Sequence, residues 1–339
     1  MRIGIIGAGA IGGQLAVRLA NAGVEIGLLV HREEQRAAIA AHGLKLLLPG
    51  GQALVARNLR VATDCAALGV QDLVILALKA HQIRAVAPAM RSLFAPATAV
   101  LSLQNGIPWW YFQRHGGPWE GQHLAALDPD GGIAAAIAPE RIIGSVPYIA
   151  GDVIAPGVIR HGGGDRLPIG ELDGQPSARI GRISKLLAQA GIKSPILPDI
   201  RAEQWFKIWA NSCVNPLSAL THSAVGGLIT HPATRHLLEL MMAEVAAVAT
   251  RLGVEMRGTL AERMAILEKV GGHKTSMLQD VEAGRALELD ALLGALIELG
   301  ERTEVATPHL AAVYACAKLL DREMAERSCA FAMQSPAAG

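Results

Sequence analysis

The sequence predicts an α/β protein, with a doubly wound parallel-sheet domain first and an all-helical domain second. Three observations carry this. Short apolar runs at residues 3–6, 24–30, 72–78 and 99–103 alternate with helix-like segments, the pattern of buried parallel strands covered on both faces. The first run ends in a glycine turn, Gly7-Ala8-Gly9-Ala10-Ile11-Gly12, that leads straight into an amphipathic stretch. From about residue 199 the strand signals stop and helical periodicities remain.

Taken in order, residues 14–22 place Leu15, Leu19 and Ala22 on one helical face. Residues 107–130, with their prolines, glycines and tryptophans, break the rhythm and read as a long loop or insertion, a kind of segment usually functional or disordered. Strand character returns at 141–149, 157–161 and 166–170. Helices are expected at 201–215, 236–252, 260–270, 278–301 and 308–324. The expected organisation is a first domain over residues 1–198, a helical domain over 199–328, and a frayed, flexible tail over 329–339.

Composition limits the partners. Of 339 residues, 51% are hydrophobic and 18% charged, which leaves room for two cores. The net charge is +1 and the basic residues are scattered, so no field draws nucleic acid or an acidic membrane. Cys65, Cys213, Cys316 and Cys329 lie far apart without a Cys-x-x-Cys pair, which suits a reducing cytosol and no disulfide framework or structural zinc. The histidines show no metal spacing, so no metal is expected. The glycines among the first 13 residues suit a strand–turn–helix better than a secretory leader. With no apolar run of about 20 residues, the expectation is a cytoplasmic protein without a membrane span.

The glycine turn is where chemistry begins. Gly7 permits a tight turn, Gly9 lets backbone approach a pyrophosphate, and Gly12 lets the following helix pack close to the strand. The helix N-terminus adds free N–H groups and a positive dipole end, so Gly7, Ala8, Gly9, Ala10, Ile11 and Gly12 together read as a Rossmann-like dinucleotide site. At the end of the second strand, Arg32 suits the 2′-phosphate of NADP, with His31 as a second donor. Glu33 and Glu34 pull toward NAD or toward pairing with Arg32, and a merely solvated arginine would look the same. Lys79 and Asn105 each follow the carboxyl end of an expected strand, the edge where open α/β sheets bind ligands.

In the helical half, Lys207, Asn211 and Asn215 are spaced i, i+4, i+8 and share one face among Trp205, Ile208, Trp209 and Val214. Asparagine is a poor mid-helix residue, so two of them on that face ask for a reason. Pro216 would free the Ser212 carbonyl and kink the helix, while Cys213, with no base beside it, reads as packing. Ser276 with Gln279 fits a capping box. Glu288, expected inside a long helix among Ala286, Leu287, Leu289 and Leu292, needs a partner, either Arg285 or a cationic residue of the site.

Together these motifs resemble the ketopantoate reductase (2-dehydropantoate 2-reductase) family across nearly the whole chain. The resemblance rests on the opening Gly-x-Gly-x-x-Gly, Leu78-Lys79-Ala80, Gln104-Asn105-Gly106, Lys207 with Asn211 and Asn215-Pro216-Leu217, Ser276-Met277-Leu278-Gln279-Asp280, and Glu288-Leu289-Asp290. It implies a Rossmann domain joined to a helical domain with the site in the cleft between them. NADPH would deliver hydride to the carbonyl carbon of a small-molecule 2-oxo acid, ketopantoate first among the candidates. It further implies Lys207 as general acid, Asn211, Asn215 and Ser276 on substrate oxygens, and Glu288 orienting Lys207 or bonding substrate and cofactor. Lys79 and Asn105 would flank nicotinamide and substrate. An ammonium stabilises the charge that hydride addition places on the carbonyl oxygen.

The sequence also departs from the family. The family's usual arginine after the second strand aligns with His31, one residue before Arg32, which leaves NAD open beside NADP. Val225 stands where some members carry a substrate-binding asparagine. Pro108-Trp109-Trp110-Tyr111-Phe112, with Trp119 close behind, walls a pocket, forms a lid, makes a subunit contact or packs its own loop. Two rival functions follow: the same reaction on another branched or bulkier 2-oxo acid, and a dinucleotide-binding sensor without catalysis. The sequence leaves monomer and homodimer equally open.

Overall fold

The computed structural model describes residues 1–331. The chain divides into two compact units. Met1–His123 with Asp128–Arg201 make the first, and Leu124–Leu127 with the residues from Ala202 onward make the second.

The first unit is built on the expected parallel sheet. Its strands are β1 (Arg2–Ile6), β2 (Glu25–Leu29), β5 (Leu59–Ala62), β6 (Gln71–Leu76), β7 (Phe94–Ser102), β8 (Ile142–Ser145) and β11 (Ile169–Glu171), in the order β11-β8-β7-β6-β1-β2-β5. All pair in parallel except β11, which runs antiparallel to β8. Helices α1 (Ala10–Asn21), α2 (Glu33–His42), α3 (Cys65–Leu68), α4 (Ala80–Val86), α5 (Gly132–Ala136) and α6 (Ala178–Gln189) accompany it. Ile3, Ile5, Leu28, Leu73, Ile75 and Leu101 from the strands and Leu15, Leu19, Ile180 and Leu187 from the helices join in one apolar core. That is the burial on which a doubly wound unit depends.

A second sheet is only partly signalled by the sequence: the strand character at 141–149 and 157–161 touches two of its strands, and the other two show none. It has four strands, β3 (Leu44–Leu47), β4 (Ala53–Ala56), β9 (Tyr148–Ala155) and β10 (Val158–Arg166), in the order β4-β3-β10-β9. Helix α1 carries it. A Cβ on Gly13 would meet the Ile159 Cδ1 of β10 at 2.0 Å, so with glycine there Ile159 packs directly on the helix backbone. The fully buried Gln14 donates to the Ala150 carbonyl at 3.0 Å, and its Oε1 meets His161 Nδ1 at 2.6 Å. β3 and β4 are four residues each, too short for alternation to stand out.

The second unit is helical, with α7 (Ile200–Thr221), α8 (Val225–Thr230), α9 (Pro232–Arg251), α10 (Leu260–Val270), α11 (Ser276–Glu282), α12 (Ala295–Arg302) and α13 (Pro308–Arg327). Met241, Met242, Val245 and Val248 of α9, Leu296 and Leu299 of α12, and Leu310 and Val313 of α13 are buried. Two expectations are corrected. Helix α7 continues past Asn215 through Pro216 to Thr221. The segment 278–301 is not one helix: α11 stops at Glu282, residues 285–288 are non-helical, and a π turn at Asp290–Gly294 precedes α12. Gly284 at φ +63° breaks the run, and the Arg285 N–H turns back to the Asp280 carbonyl at 2.8 Å. Of the expected tail, Cys329 and Phe331 donate backbone bonds to Met324 and Val281, and residues 332–339 lie outside the described residues. No helix among the described residues is long and apolar enough to cross a membrane.

Candidate active site

The expected residues of the first unit converge on one sheet edge. β7, β6, β1 and β2 are neighbours in that order. Asn105 follows β7, Lys79 follows β6, the glycine turn follows β1, and His31-Arg32 follow β2. The order reverses between β6 and β1, and such a reversal opens a crevice at the carboxyl ends.

The three glycines of the turn have different reasons to be glycine. Gly7 sits at φ +108°, and a Cβ there would lie 2.8 Å from the Ala77 carbonyl oxygen. A Cβ on Gly12 would lie 2.1 Å from the Gly7 carbonyl oxygen and 2.7 Å from Ala77 Cβ. Both are needed to bring α1 against the strands. At Gly9 no protein atom lies within 4 Å of such a Cβ, so its bareness serves nothing in the protein itself. Gly9 is also the N-cap of α1, with no side-chain cap and no acidic residue in the first turn. By contrast, Ser177 caps α6 and Thr259 caps α10 with their hydroxyls. Uncapped first-turn N–H groups beside open space form an anion cradle. Ala8, Ala10 and Ile11 complete it, with the Ala8 carbonyl held by Gln35 at 3.1 Å. These residues fit the pyrophosphate of a dinucleotide.

His31 and Arg32 are exposed, and Arg32 is the N-cap of α2. Glu33 does not pair with Arg32: both its oxygens accept the Arg36 Nε–H at 2.8 Å. That hydrogen bond holds the Glu33 carboxyl below its ordinary range. Lys79 opens α4 with its backbone pinned by Gln82, whose Oε1 accepts the Lys79 N–H at 3.1 Å. Asn105 is half-buried and precedes Gly106 at φ +83°.

The aromatic run beside Asn105 is core, which corrects the lid and subunit-contact readings. Trp109, Trp110, Tyr111 and Phe112 are all buried. The Trp110 indole donates to the Ser102 hydroxyl at 2.9 Å, which donates to Gln104 Oε1 at 2.5 Å. Phe112 stacks on Trp119 with centroids 5.5 Å apart. The run packs its own loop and backs the end of β7.

In the second unit, Lys207, Asn211 and Asn215 lie along α7. Trp205, Ile208, Trp209 and Val214 are buried around them, and the Trp209 indole donates to the Met242 carbonyl at 2.9 Å. Lys207 retains some exposed surface. Burial nevertheless brings its pKa down to about 8, and the Glu288 carboxylate opposes that fall. Asn215 is 5% exposed and Asn211 half-buried, so this face is polar but largely withdrawn from water. Burial pushes the Cys213 thiol up to about 12, as an inert packing residue requires.

Two local readings change. Thr275, not Ser276, caps α11, its hydroxyl accepting the Leu278 N–H at 3.1 Å, because Thr275 is the last residue with extended backbone. Ser276 becomes the first helical residue and stays exposed. Glu288 lies in the non-helical stretch before the π turn, and Arg285 pairs with Asp280 at 2.8 Å. Of the two partners considered for Glu288, the charge it acts on is Lys207. A lysine whose pKa burial brings down to about 8 and that stands under the charge of a carboxylate is equipped to give up a proton.

Comparison with known proteins gives consistent matches. Residues 3–109 match the family model described as Ketopantoate reductase PanE/ApbA, and residues 199–321 match Ketopantoate reductase PanE/ApbA C terminal. A 2-dehydropantoate 2-reductase of Mesorhizobium japonicum is 44% identical over 329 residues, covering 97% of this chain and 99% of the relative. Among solved structures, a Ralstonia solanacearum protein assigned as a ketopantoate reductase superposes with a TM-score of 0.90 at 37% identity, over 95% of this chain and 98% of the other. A PanE/ApbA family ketopantoate reductase from Ralstonia eutropha follows at a TM-score of 0.82 and 26% identity, over 96% and 100% of the two chains.

Proposed function

This chain belongs to the ketopantoate reductase family, and from that premise we propose that it is an NADPH-dependent oxidoreductase that reduces 2-dehydropantoate to pantoate. The observation that carries the reading is Lys207, an ammonium with a pKa near 8 on the same helix as Asn211 and Asn215 and under the charge of Glu288. The dinucleotide, when bound, supplies the hydride. The rest falls to the protein. The first turn of α1 and the bare Gly9 receive the pyrophosphate, and Arg32 with His31 meets the 2′-phosphate. Lys79 and Asn105 bound the nicotinamide end.

Reduction places negative charge on the substrate's carbonyl oxygen, and Lys207 Nζ stabilises that charge and donates the proton that makes the hydroxyl. Asn211, Asn215 and Ser276 hold the remaining substrate oxygens, since an amide offers both donor and acceptor. Glu288 keeps the ammonium charged enough to act as the acid. With NADPH present, 2-dehydropantoate is expected to give the highest kcat/KM in a panel of branched and bulkier 2-oxo acids.

The buried Val225, at the place where the family resemblance implies a substrate-binding asparagine in some members, favours one second reading, another branched or bulkier 2-oxo acid. A panel led by such an acid would replace the first reading with the second. Dinucleotide binding with no turnover of any acid in the panel would refute both and leave a sensor.

A further inference from the structure

Glu288 stands on backbone that has no regular structure of its own. Gly284 ends α11, residues 285–288 are non-helical, and the chain re-enters helix at Leu289 through the π turn Asp290–Gly294. A π turn is rare and persists where its neighbours stabilise it, often beside a functional group.

One face of α13 supplies that support. Tyr314, Lys318 and Asp321 are spaced i, i+4, i+7 and project from one side of the helix. Asp321 Oδ1 accepts the N–H of Leu287, the residue before Glu288, at 2.9 Å. On the other flank the Tyr314 hydroxyl donates to Asp290 Oδ1 at 2.6 Å. Lys318 Nζ reaches the two oxygens of the same carboxylate at 3.3 and 3.5 Å. The peptide nitrogen before Glu288 and the carboxylate two residues after it are therefore tied to one helix. Leu287 and Leu289, both buried, fix the register between those ties.

We propose that Asp321 and Tyr314 are positioning residues, which hold Glu288 where its carboxylate acts on the Lys207 ammonium. Their functional meaning rests on the reading of Lys207 as proton donor; the geometry does not. The charged groups along the segment are Arg285, which pairs with Asp280, and Asp290, Lys318 and Asp321, while the Glu288 charge acts on Lys207. Burial and then Asp290 push the Tyr314 phenol up, so it stays protonated and able to donate.

The test titrates Lys207 itself in the full chain without substrate. Lysines are labelled with carbon-13 at Cε, and the Lys207 resonance is assigned by its loss in Lys207→Arg. Wild type is expected to titrate near 8, and Glu288→Gln lower, because a carboxylate that favours the ammonium is gone. Asp321→Ala and Tyr314→Phe are expected to move in the same direction by about half a unit. Asp321→Asn, which keeps an acceptor for the Leu287 N–H, should remain nearest wild type.

In turnover, Asp321→Ala should lose about tenfold in kcat, with its alkaline limb displaced to lower pH and KM little changed. A Lys207 titration unmoved by Asp321→Ala and Tyr314→Phe, while Glu288→Gln moves it, would overturn the positioning role. Should Asp321→Ala fail to fold, Tyr314→Phe and Asp321→Asn carry the same comparison. A wild type that turns over no 2-oxo acid would remove the proposed function, and the titration would still decide the positioning.

Discussion

The glycine turn and the Lys207 face build their chemistry by opposite means. The turn works through backbone. Its donors are peptide N–H groups, its geometry is fixed by two glycines that no Cβ could replace, and all of it lies within Gly7–Gly12. The Lys207 face works through side chains in a desolvated setting, and its key partner, Glu288, comes from a distant part of the chain. A backbone cradle is robust to its surroundings, because it needs only the right turn and an uncapped helix. A tuned lysine is not, because its pKa is a balance between burial and one carboxylate.

That contrast can be broken at several points. The largest effect is expected at Lys207. Lys207→Met keeps most of the apolar stem and removes the acid, so kcat should fall about 10²–10⁴-fold, while titration with NADPH shows unchanged binding. Loss of NADPH binding together with turnover would mean that the residue shapes the fold instead of donating a proton.

The next pair separates the glycines. Gly12→Ala puts a Cβ against the Gly7 carbonyl oxygen, and should cost about 2–3 kcal/mol in chemical denaturation. Gly9→Ala meets no protein atom, so its stability should change by no more than about 1 kcal/mol, yet NADPH should bind about tenfold more weakly. Equal effects of both on stability would show that Gly9 is constrained by the protein and not by a ligand. An effect of similar size on the cofactor, confined to one of the two nicotinamide dinucleotides, belongs to its phosphate end. Arg32→Ala should raise the KM for NADPH about tenfold and leave that for NADH nearly unchanged, with His31→Ala weaker in the same direction. Parallel changes for both cofactors would remove these residues from phosphate recognition.

The same contrast explains what the sequence could disclose. The glycine turn and the stripe Lys207-Asn211-Asn215 are local patterns, each legible in a window of about a dozen residues, and the parallel sheet shows in the alternation of apolar runs with helical segments over residues 3–103. The four-stranded second sheet is legible only in part: strand character shows at 157–161, overlapping β10, but β3 and β4 are four residues each, too short to display a period, and β3 pairs with β10 across a long separation. Glu288 is visible in the sequence as a carboxylate among apolar residues, but the non-helical stretch that carries it is not. Gly284 and the π turn interrupt what the apolar spacing presents as one helix. Thr275 displaced Ser276 as cap by a single residue, within the ordinary uncertainty of helix ends. Asp321 and Tyr314 gave no signal at all, since an aspartate and a tyrosine on an amphipathic helix look like its solvent face until the segment they hold is in place.

The central claim is that the Lys207 ammonium donates the proton in reduction, and the dependence of kcat/KM on pH tests it most directly. The acid must be protonated to act, so activity requires pH below its pKa and is lost as pH rises through it. Burial, only partly opposed by Glu288, sets that point near 8. With saturating NADPH, kcat/KM for 2-dehydropantoate is therefore predicted to stay level on the acid side of 8 and to fall about tenfold per pH unit above it. A kcat/KM that stays level well beyond that point, with cofactor binding intact, would contradict the assignment.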